Sequence, residues 1–437
     1  ISPKTACGTT TLGDSGDTFT IPAGVTITNN GTQTGFGRTG TVNWQTSIKT
    51  GDFTAVSGEG YFVNTTSGGI TVTLPSSPSA GSIVAFKDYA NTWDSNAVVL
   101  NRNGSNIGGV AQNASLGTES QSVTLIYADS TKGWLDIHDS TSNVTGGTFI
   151  TATGGTITTS GNDKVHIFTG PGTFCVSQIS NVAANNEVSY VVIGGGGGGG
   201  GEVSHGGGGG AGGYRETKSP ITPYTASPLD GQPSAPNRIT VTATGFPITV
   251  GGGGARATSG ANSIFSSITG AGGGRGHGNA SASAGGSGGG GTYNSAGAAG
   301  NTPPVSPSQG NPGGTSCTGA NNYGAGGGGG AIAAGAAGSP SAGGAGGAGT
   351  SSEITGTPVA RAGGGGGSSY QGGGPNPGGT GGGGNGSIGG PAPNSADATA
   401  GTDNTGGGGG GGERSTPGTA GGFAGGSGIV IIRYKFQ

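Results

Sequence analysis

The chain of 437 residues contains 111 glycines, only 8% of its residues are charged, and its formal net charge at pH 7 is −3. This charge density is too low for electrostatic capture of nucleic acid or of an anionic membrane surface, so both classes of partner are excluded. No stretch of about 18 apolar residues occurs, so the sequence predicts no transmembrane helix. Three cysteines are too few for a disulfide framework. Cys7, Cys175 and Cys317 are therefore predicted to be unpaired thiols of a protein assembled in a reducing cytoplasm.

The first two segments of the chain predict β structure. Residues 1–40 read as a connector or attachment segment, with two short strands around a turn at Pro22. Residues 41–142 contain about six short segments of alternating apolar residues, a pattern typical of a β-sandwich-like domain. Within it, the segments on either side of Gly68 and Gly69 predict a β-hairpin. The segments that end at Tyr127 and begin at Trp134 predict a second pair of consecutive strands.

Residues 143–437 form a glycine-rich domain, in which 85 of the 111 glycines follow Ile193. Glycine loses the most backbone entropy on folding and has no side chain to bury, so a hydrophobic core cannot order this region. Backbone hydrogen bonds can, because extended polyglycine with three residues per turn directs its N–H and C=O groups toward neighbouring chains. We therefore predict an all-β protein in which a small β base, residues 146–193, 239–250 and 428–437, carries a bundle of polyglycine II helices.

Other functions of glycine-rich sequence do not fit. Collagen requires glycine at every third position, and here the glycines occur in blocks. The glycines after Ile193 match a dinucleotide-binding fingerprint, but that site requires a helix, which a glycine run cannot sustain. Residues 285–289 match G-x-S-x-G without the strand-to-helix elbow of a hydrolase.

Catalytic and metal-binding constellations are also missing from the sequence. The four histidines are scattered, without zinc spacing. Two carboxylate pairs, Asp14 with Asp17 and Asp136 with Asp139, leave a polysaccharide depolymerase as the weaker enzymatic alternative, since that activity needs two carboxylates in one cleft. The prediction is a protein that is not an enzyme and that holds no cofactor and no metal.

Several motifs of residues 146–437 resemble the glycine-rich domain of bacteriophage tail-fibre and adhesin proteins. The motifs are FTGPGTF at 168–174, YVVIGGGG at 190–197, GGAGGYR at 209–215, ITVGGGG at 248–254, NSIF at 262–265 and GIVIIRY at 428–434. Upstream, residues 34–44 and 58–63 are similar to repeated modules in fibre proteins of marine phages, especially cyanophages.

The resemblance implies a virion structural protein that is exposed to the extracellular medium and not an enzyme. It implies a homotrimeric fibre, in which copies of this chain associate with one another and with other tail or baseplate proteins. It also implies that the glycine-rich domain is a receptor-binding tip, for a host surface glycan or an outer-membrane protein. A structural decoration, such as a capsid or neck fibre, or a surface filament protein, is the alternative.

Aromatic and charged residues that interrupt the glycine runs are the candidate receptor contacts, because tyrosine supplies a large contact area at small entropic cost. They are Tyr214, Arg215, Arg275, His277, Tyr293, Tyr323, Tyr370, Glu413 and Arg414. For each tyrosine, packing at an edge of the glycine stack is the competing interpretation. Two segments rich in Pro, Asn and Ser, residues 301–318 and 389–405, are predicted to form the exposed tips.

Overall fold

The structure, a computed structural model, describes residues 18, 20, 42–140, 148–201, 205–278, 281–317, 324–369, 376–389, 398–413 and 421–437. These residues form strands and two short 3₁₀ helices, and they contain no α-helix, so the predicted all-β fold is confirmed. The chain divides into two compact units, Ile1–Thr145 and Gly146–Gln437. The strands predicted around Pro22 lie largely outside the described residues.

The first unit consists of two sheets that share one apolar core. Its strands are β1 (Asn43–Trp44), β2 (Phe53–Thr54), β3 (Glu59–Val63), β4 (Ile70–Thr73), β5 (Ile83–Asp88), β6 (Val98–Asn101), β7 (Ala114–Leu116), β8 (Ser122–Tyr127) and β9 (Trp134–Ser140). One sheet has the order β1-β3-β5-β8-β9 and the other β2-β4-β6-β7. Val63 and Phe86 from the first sheet are buried in one cluster with Val72 and Leu100 from the second, which defines a β-sandwich.

The predicted hairpin between β3 and β4 is wrong, because these strands belong to different sheets. β3 pairs in parallel with β5, and β4 pairs in parallel with β6. Gly68, with φ +147°, lies in the turn that carries the chain from one sheet to the other. The alternation of Ile70 and Val72 identifies the inward face of β4, but it does not identify the neighbouring strand. The other predicted pair, β8 with β9, is confirmed as antiparallel.

The second unit has a β base with two larger sheets and a short two-stranded one. Its strands are β10 (Thr151–Thr153), β11 (Thr156–Ser160), β12 (Asp163–Phe168), β13 (Gly172–Gln178), β14 (Glu187–Ile193), β15 (Tyr214–Thr217), β16 (Ile239–Thr240), β17 (Gly245–Thr249), β18 (Ser263–Phe265), β19 (Ile268–Gly270), β20 (Thr350–Ser352), β21 (Val359–Arg361) and β22 (Ile429–Lys435). The sheets have the orders β10-β13-β17-β18-β19, β11-β12-β22-β14-β15 and β20-β21, and β16 pairs with β14. The 3₁₀ helices are Ala183–Asn186 and Ala235–Asn237.

The terminal strand β22 occupies the centre of the base, between β12 and β14. Val430 and Ile432 belong to the core between the two large sheets, whereas Ile429 and Ile431 belong to a second apolar cluster on the opposite face. Because both faces of the strand are covered, its apolar residues run continuously instead of alternating.

Glycine runs extend from this base as polyglycine II helices. In the run 194–201, the N–H groups of Gly194, Gly197 and Gly200 donate to the carbonyls of Gly213, Gly210 and Gly207, at 2.8–3.2 Å. The intervening N–H groups donate to two other runs. Residues 195 and 198 donate to the carbonyls of residues 261 and 258 in one run, and residues 196 and 199 donate to those of residues 426 and 423 in the other. A partner that repeats every third residue is the signature of three residues per turn, so the predicted backbone-bonded bundle is confirmed.

The interior of the bundle has no room for side chains. A Cβ atom on Gly196 would lie 2.0 Å from the carbonyl oxygen of Gly407, and one on Gly208 would lie 2.0 Å from that of Gly365. The same short approach recurs in most of the interior runs. Glycine is therefore required here because neighbouring backbones touch.

The runs alternate in direction between a base end, next to the strands, and a distal end. The run 194–201 leaves β14 and its partner 206–213 returns to β15. Eight residues at the rise of polyglycine II separate the two ends by about 25 Å. Described turns at the distal end include residues 292–295 and 339–342.

The prediction of exposed tips is wrong in position for residues 301–309 and 402–405, which are turns at the base end, although residues 302–304 are exposed. Residues 316–317 do reach the distal end, where the N–H of Ser316 donates to the carbonyl of Ser295. In the first segment, Asn237 donates its side-chain amide to the carbonyl of Ser306, and Tyr214 donates its N–H to Gln309, so residues 301–309 lie at the base end. In the second, residues 398–402 form a run and residues 402–405 turn at the base end. Residues 318 and 390–397 lie outside the described residues. A composition rich in Pro, Asn and Ser predicts a turn. The number of chain reversals before that turn decides whether it lies at the base end or at the distal end of the bundle.

His166 of β12 is expected to make the stability of the base dependent on pH. Its buried ring is hydrogen-bonded through Nδ1 to the carbonyl of Gly154, at 2.7 Å, and through Nε2 to the hydroxyl of Tyr434, at 3.0 Å. Burial lowers the pKa of His166 below its usual value of 6.5. The unfolded chain therefore binds the proton more tightly, and stability that is complete above about pH 6.5 is lost as the pH falls below it.

We expect the unfolding free energy to fall by up to about 1.4 kcal/mol per pH unit between pH 6.5 and the lowered pKa of His166. Denaturant titrations of the chain and of His166→Gln at pH 7.5, 6.5 and 5.5 measure this slope. The variant is expected to show a shallower slope, whatever its stability at pH 7.5, and His138→Gln, a change at an exposed position, serves as control. Equal slopes for all three proteins would contradict the assignment.

Candidate binding surface at the distal end

The predicted contact residues separate into a buried group and a group at the distal end. Tyr214 and Arg215 lie at the base end, in β15, with exposed fractions of 1% and 8%. The Tyr214 hydroxyl donates to Oε2 of Glu216 at 2.8 Å, and Nη2 of Arg215 donates to Oδ1 of Asn237 at 2.7 Å. Side chains so enclosed cannot contact a receptor, so their prediction as contacts is wrong.

Glu216 is the centre of the polar network that holds Tyr214 in place. Its carboxylate, which is buried, also accepts hydrogen bonds from the hydroxyl of Ser352 at 2.6 Å, the hydroxyl of Tyr224 at 3.3 Å and the N–H of Ser227 at 3.0 Å. Burial and the negative charge of Glu216 raise the pKa of Tyr214 well above its usual value. The network ties β15 to β20 and to the segment 224–227, which is a structural role.

Glu413 and Arg275 occupy the distal half of the bundle. Glu413 follows Gly412, whose N–H donates to Gly200, and it is buried, so its prediction as a surface contact is also wrong. Arg275 is half-buried, and its Nε donates to the carbonyl of Ser281 at 3.2 Å. Tyr323, Tyr370 and Arg414 lie outside the described residues, and their roles stay predictions.

The turn 292–295 carries Tyr293 on the surface of the distal end. The N–H of Ser295 donates to the carbonyl of Thr292 at 3.0 Å, and Tyr293 and Asn294 have φ of +51° and +59°. Positive φ at both central residues defines a type I′ turn, which favours Asn and Gly and which tyrosine adopts at a cost in strain. The Tyr293 side chain is 48% exposed. A strained position that holds an exposed aromatic ring is a candidate binding site.

Two histidines contact this turn, one through a ring contact and one through a hydrogen bond. The ring of His205, which is 2% exposed, lies 4.7 Å from the ring of Tyr293 between centroids, at 49°. Nδ1 of His277 accepts the backbone N–H of Thr292 at 3.2 Å. A neutral imidazole that accepts at Nδ1 carries its proton at Nε2. Burial lowers the pKa of both histidines, so both rings are neutral at pH 7.

The structure therefore brings together Tyr293 and His277, which are two of the predicted contacts, and His205, which was not predicted as one. His205 and His277 are 72 positions apart, and no spacing rule links them. One signal was present in the sequence: each lies at the end of a glycine run, where a reversal of the chain places side chains at one end of the bundle.

The described ranges contain neither a cluster of metal ligands nor a membrane-spanning helix. There, no group of three or more His, Cys, Asp or Glu side chains is arranged to hold a metal ion. None of the helical segments in that part of the chain has the length and apolar character of a transmembrane helix. Cys175 carries a free and exposed thiol on β13.

Together, the β base, the backbone-bonded bundle and the distal turns define a class of protein, an all-β scaffold that presents short turns on rigid polyglycine. A family model described as "Glycine-rich domain" matches residues 168–435. The chain belongs to this family. A comparison with curated proteins found no match.

Proposed function

We propose that this chain is a virion fibre protein, a phage tail fibre or adhesin, whose distal bundle end binds the host cell surface during adsorption. The exposed Tyr293 on its type I′ turn, at the end of the bundle away from the base, is the observation that carries this proposal. Membership of the glycine-rich family and the resemblance to phage fibre sequences support it.

The bundle suits this role because it is rigid without side chains. Backbone hydrogen bonds between the runs fix the turn before any partner arrives. A preorganised turn loses little conformational entropy on binding, so a small contact area can supply useful affinity. Several copies on one particle multiply weak contacts by avidity, which a homotrimeric fibre joined to tail or baseplate proteins would provide.

Adsorption of the purified chain to cells tests the proposal. We expect the fluorescently labelled chain to bind at least one strain of a panel of marine cyanobacteria saturably, in competition with the unlabelled chain. Tyr293→Asn, which removes the ring and keeps a residue suited to positive φ, is expected to weaken binding about tenfold or more, as for a central aromatic contact. Flow cytometry measures both.

Tyr89→Asn is the matched control, because Tyr89 is 52% exposed in the first unit and is expected to leave binding unchanged. Circular dichroism and the thermal midpoint establish that both variants fold. Absence of saturable binding on every strain would favour the structural decoration instead, and equal binding by Tyr293→Asn would show that the turn 292–295 is not the contact surface.

A further inference from the structure

The distal turn also indicates what kind of ligand it takes, and this inference rests on the proposed function. Among the described residues of the second unit, Tyr293 is the one aromatic side chain with a large exposed fraction. Its neighbours are the small polar residues Asn294 and Ser295 and runs of glycine. A stable protein partner needs about 800 Å² of contact on each side and a cluster of apolar anchors. A single flat ring matches the C–H face of one sugar ring far better.

The Tyr293 ring is fixed before a ligand binds. The buried ring of His205 supports it at 4.7 Å, and the hydrogen bond of the type I′ turn fixes its backbone. The ring therefore presents a rigid apolar surface, and an aromatic ring of this kind combines a large contact area with little rotamer entropy to lose.

A hydrogen-bond donor lies next to the turn that carries the ring. His277, half-buried, uses Nδ1 to accept the Thr292 N–H, so its Nε2–H is the donor of the neutral imidazole. In the described part of the distal end, the charged side chains are Arg256, half-buried in the turn 255–258, Arg275, bonded to the carbonyl of Ser281, and the buried Glu413. Neutral donors around an aromatic ring suit hydroxyl groups better than phosphate or carboxylate groups.

We propose that the turn 292–295 is a saccharide subsite, in which an uncharged pyranose of a surface polysaccharide stacks on the exposed face of Tyr293 and accepts a hydrogen bond from Nε2 of His277. The sugar is a hexose or an N-acetylhexosamine. A protein receptor is the outcome that the experiment separates from this one.

Saturation-transfer NMR of the full chain tests the subsite directly, with the methyl glycosides of glucose, galactose, mannose and N-acetylglucosamine as probes. At least one is expected to receive saturation at its ring protons. Tyr293→Phe is expected to keep the signal, Tyr293→Asn to lose it, and Tyr89→Asn to leave it unchanged. His277→Phe is expected to reduce the affinity several-fold. No transfer to any of the four probes, or equal transfer with Tyr293→Asn, would overturn the proposal.

Treated cells of a strain that binds the chain provide the second arm. Periodate, which cleaves vicinal diols, is expected to abolish binding, and protease is expected to leave it intact. Loss of binding with protease alone would identify a protein receptor and overturn the inference while the adsorption function stands. Binding of a methyl glycoside without adsorption to any strain would support the saccharide subsite and overturn the adsorption function.

Discussion

Gly208→Ala is expected to prevent the second unit from reaching its native stability. Gly208 lies in the interior of the bundle, and a Cβ atom there would lie 2.0 Å from the carbonyl oxygen of Gly365 and 2.8 Å from the amide nitrogen of Gly328. Both obstacles are backbone atoms, which cannot turn aside as a side chain can. Two neighbouring runs would have to move apart, and the hydrogen bonds between them would break. We expect a loss of about 3 kcal/mol or more, at the upper end of overpacking effects.

Gly252→Ala is the matched control for this prediction. Gly252 also belongs to a glycine run, but a Cβ atom added there meets nothing within 4 Å. Its unfolding free energy is expected to stay within about 1 kcal/mol of that of the original chain, with a small gain from the restricted unfolded state. Denaturant unfolding of both variants measures the contrast. Similar losses in the two variants would show that glycine is needed for backbone freedom and not for close approach.

Asp163→Asn is expected to destabilise the base by about 3–5 kcal/mol, because it leaves a buried charge without its partner. Nε of Arg433 donates to Oδ2 of Asp163 at 2.8 Å, and the two side chains are 2% and 1% exposed. Arg433 also donates to the carbonyls of Ile354 and Pro223, at 3.2 and 3.3 Å, and packs on the ring of Tyr224. The guanidinium thus joins the terminal strand to three other segments.

A double-mutant cycle with Arg433→Met separates the charge from the packing. The double variant is expected to be less destabilised than the sum of the two single variants, since it buries no unpaired charge. Asp136→Asn, at an exposed position, is the control for the substitution itself. Strict additivity, or an effect of Asp163→Asn below about 1 kcal/mol, would mean that the pair is not coupled.

Much of the fold followed from composition and periodicity. Few apolar residues occur among the glycines, so hydrogen bonding between backbones was the remaining source of order, and the bundle has that structure. Residues 428–437 were predicted to belong to the β base, and β22 is a strand of that base. The parallel pairing of β3 with β5 could not be predicted, because alternation specifies a face and not a neighbour.

The candidate site, too, depended partly on the sequence and partly on the tertiary structure. The sequence by itself determined that a glycine bundle would form, because only glycine lets neighbouring backbones touch. It also identified the few aromatic and charged side chains within the glycine runs as candidate contacts. Only the tertiary structure decided which end of the bundle each of these side chains occupies. Every reversal of the chain exchanges the two ends, so Tyr214 is enclosed in the base whereas Tyr293 is exposed at the distal end beside His205 and His277.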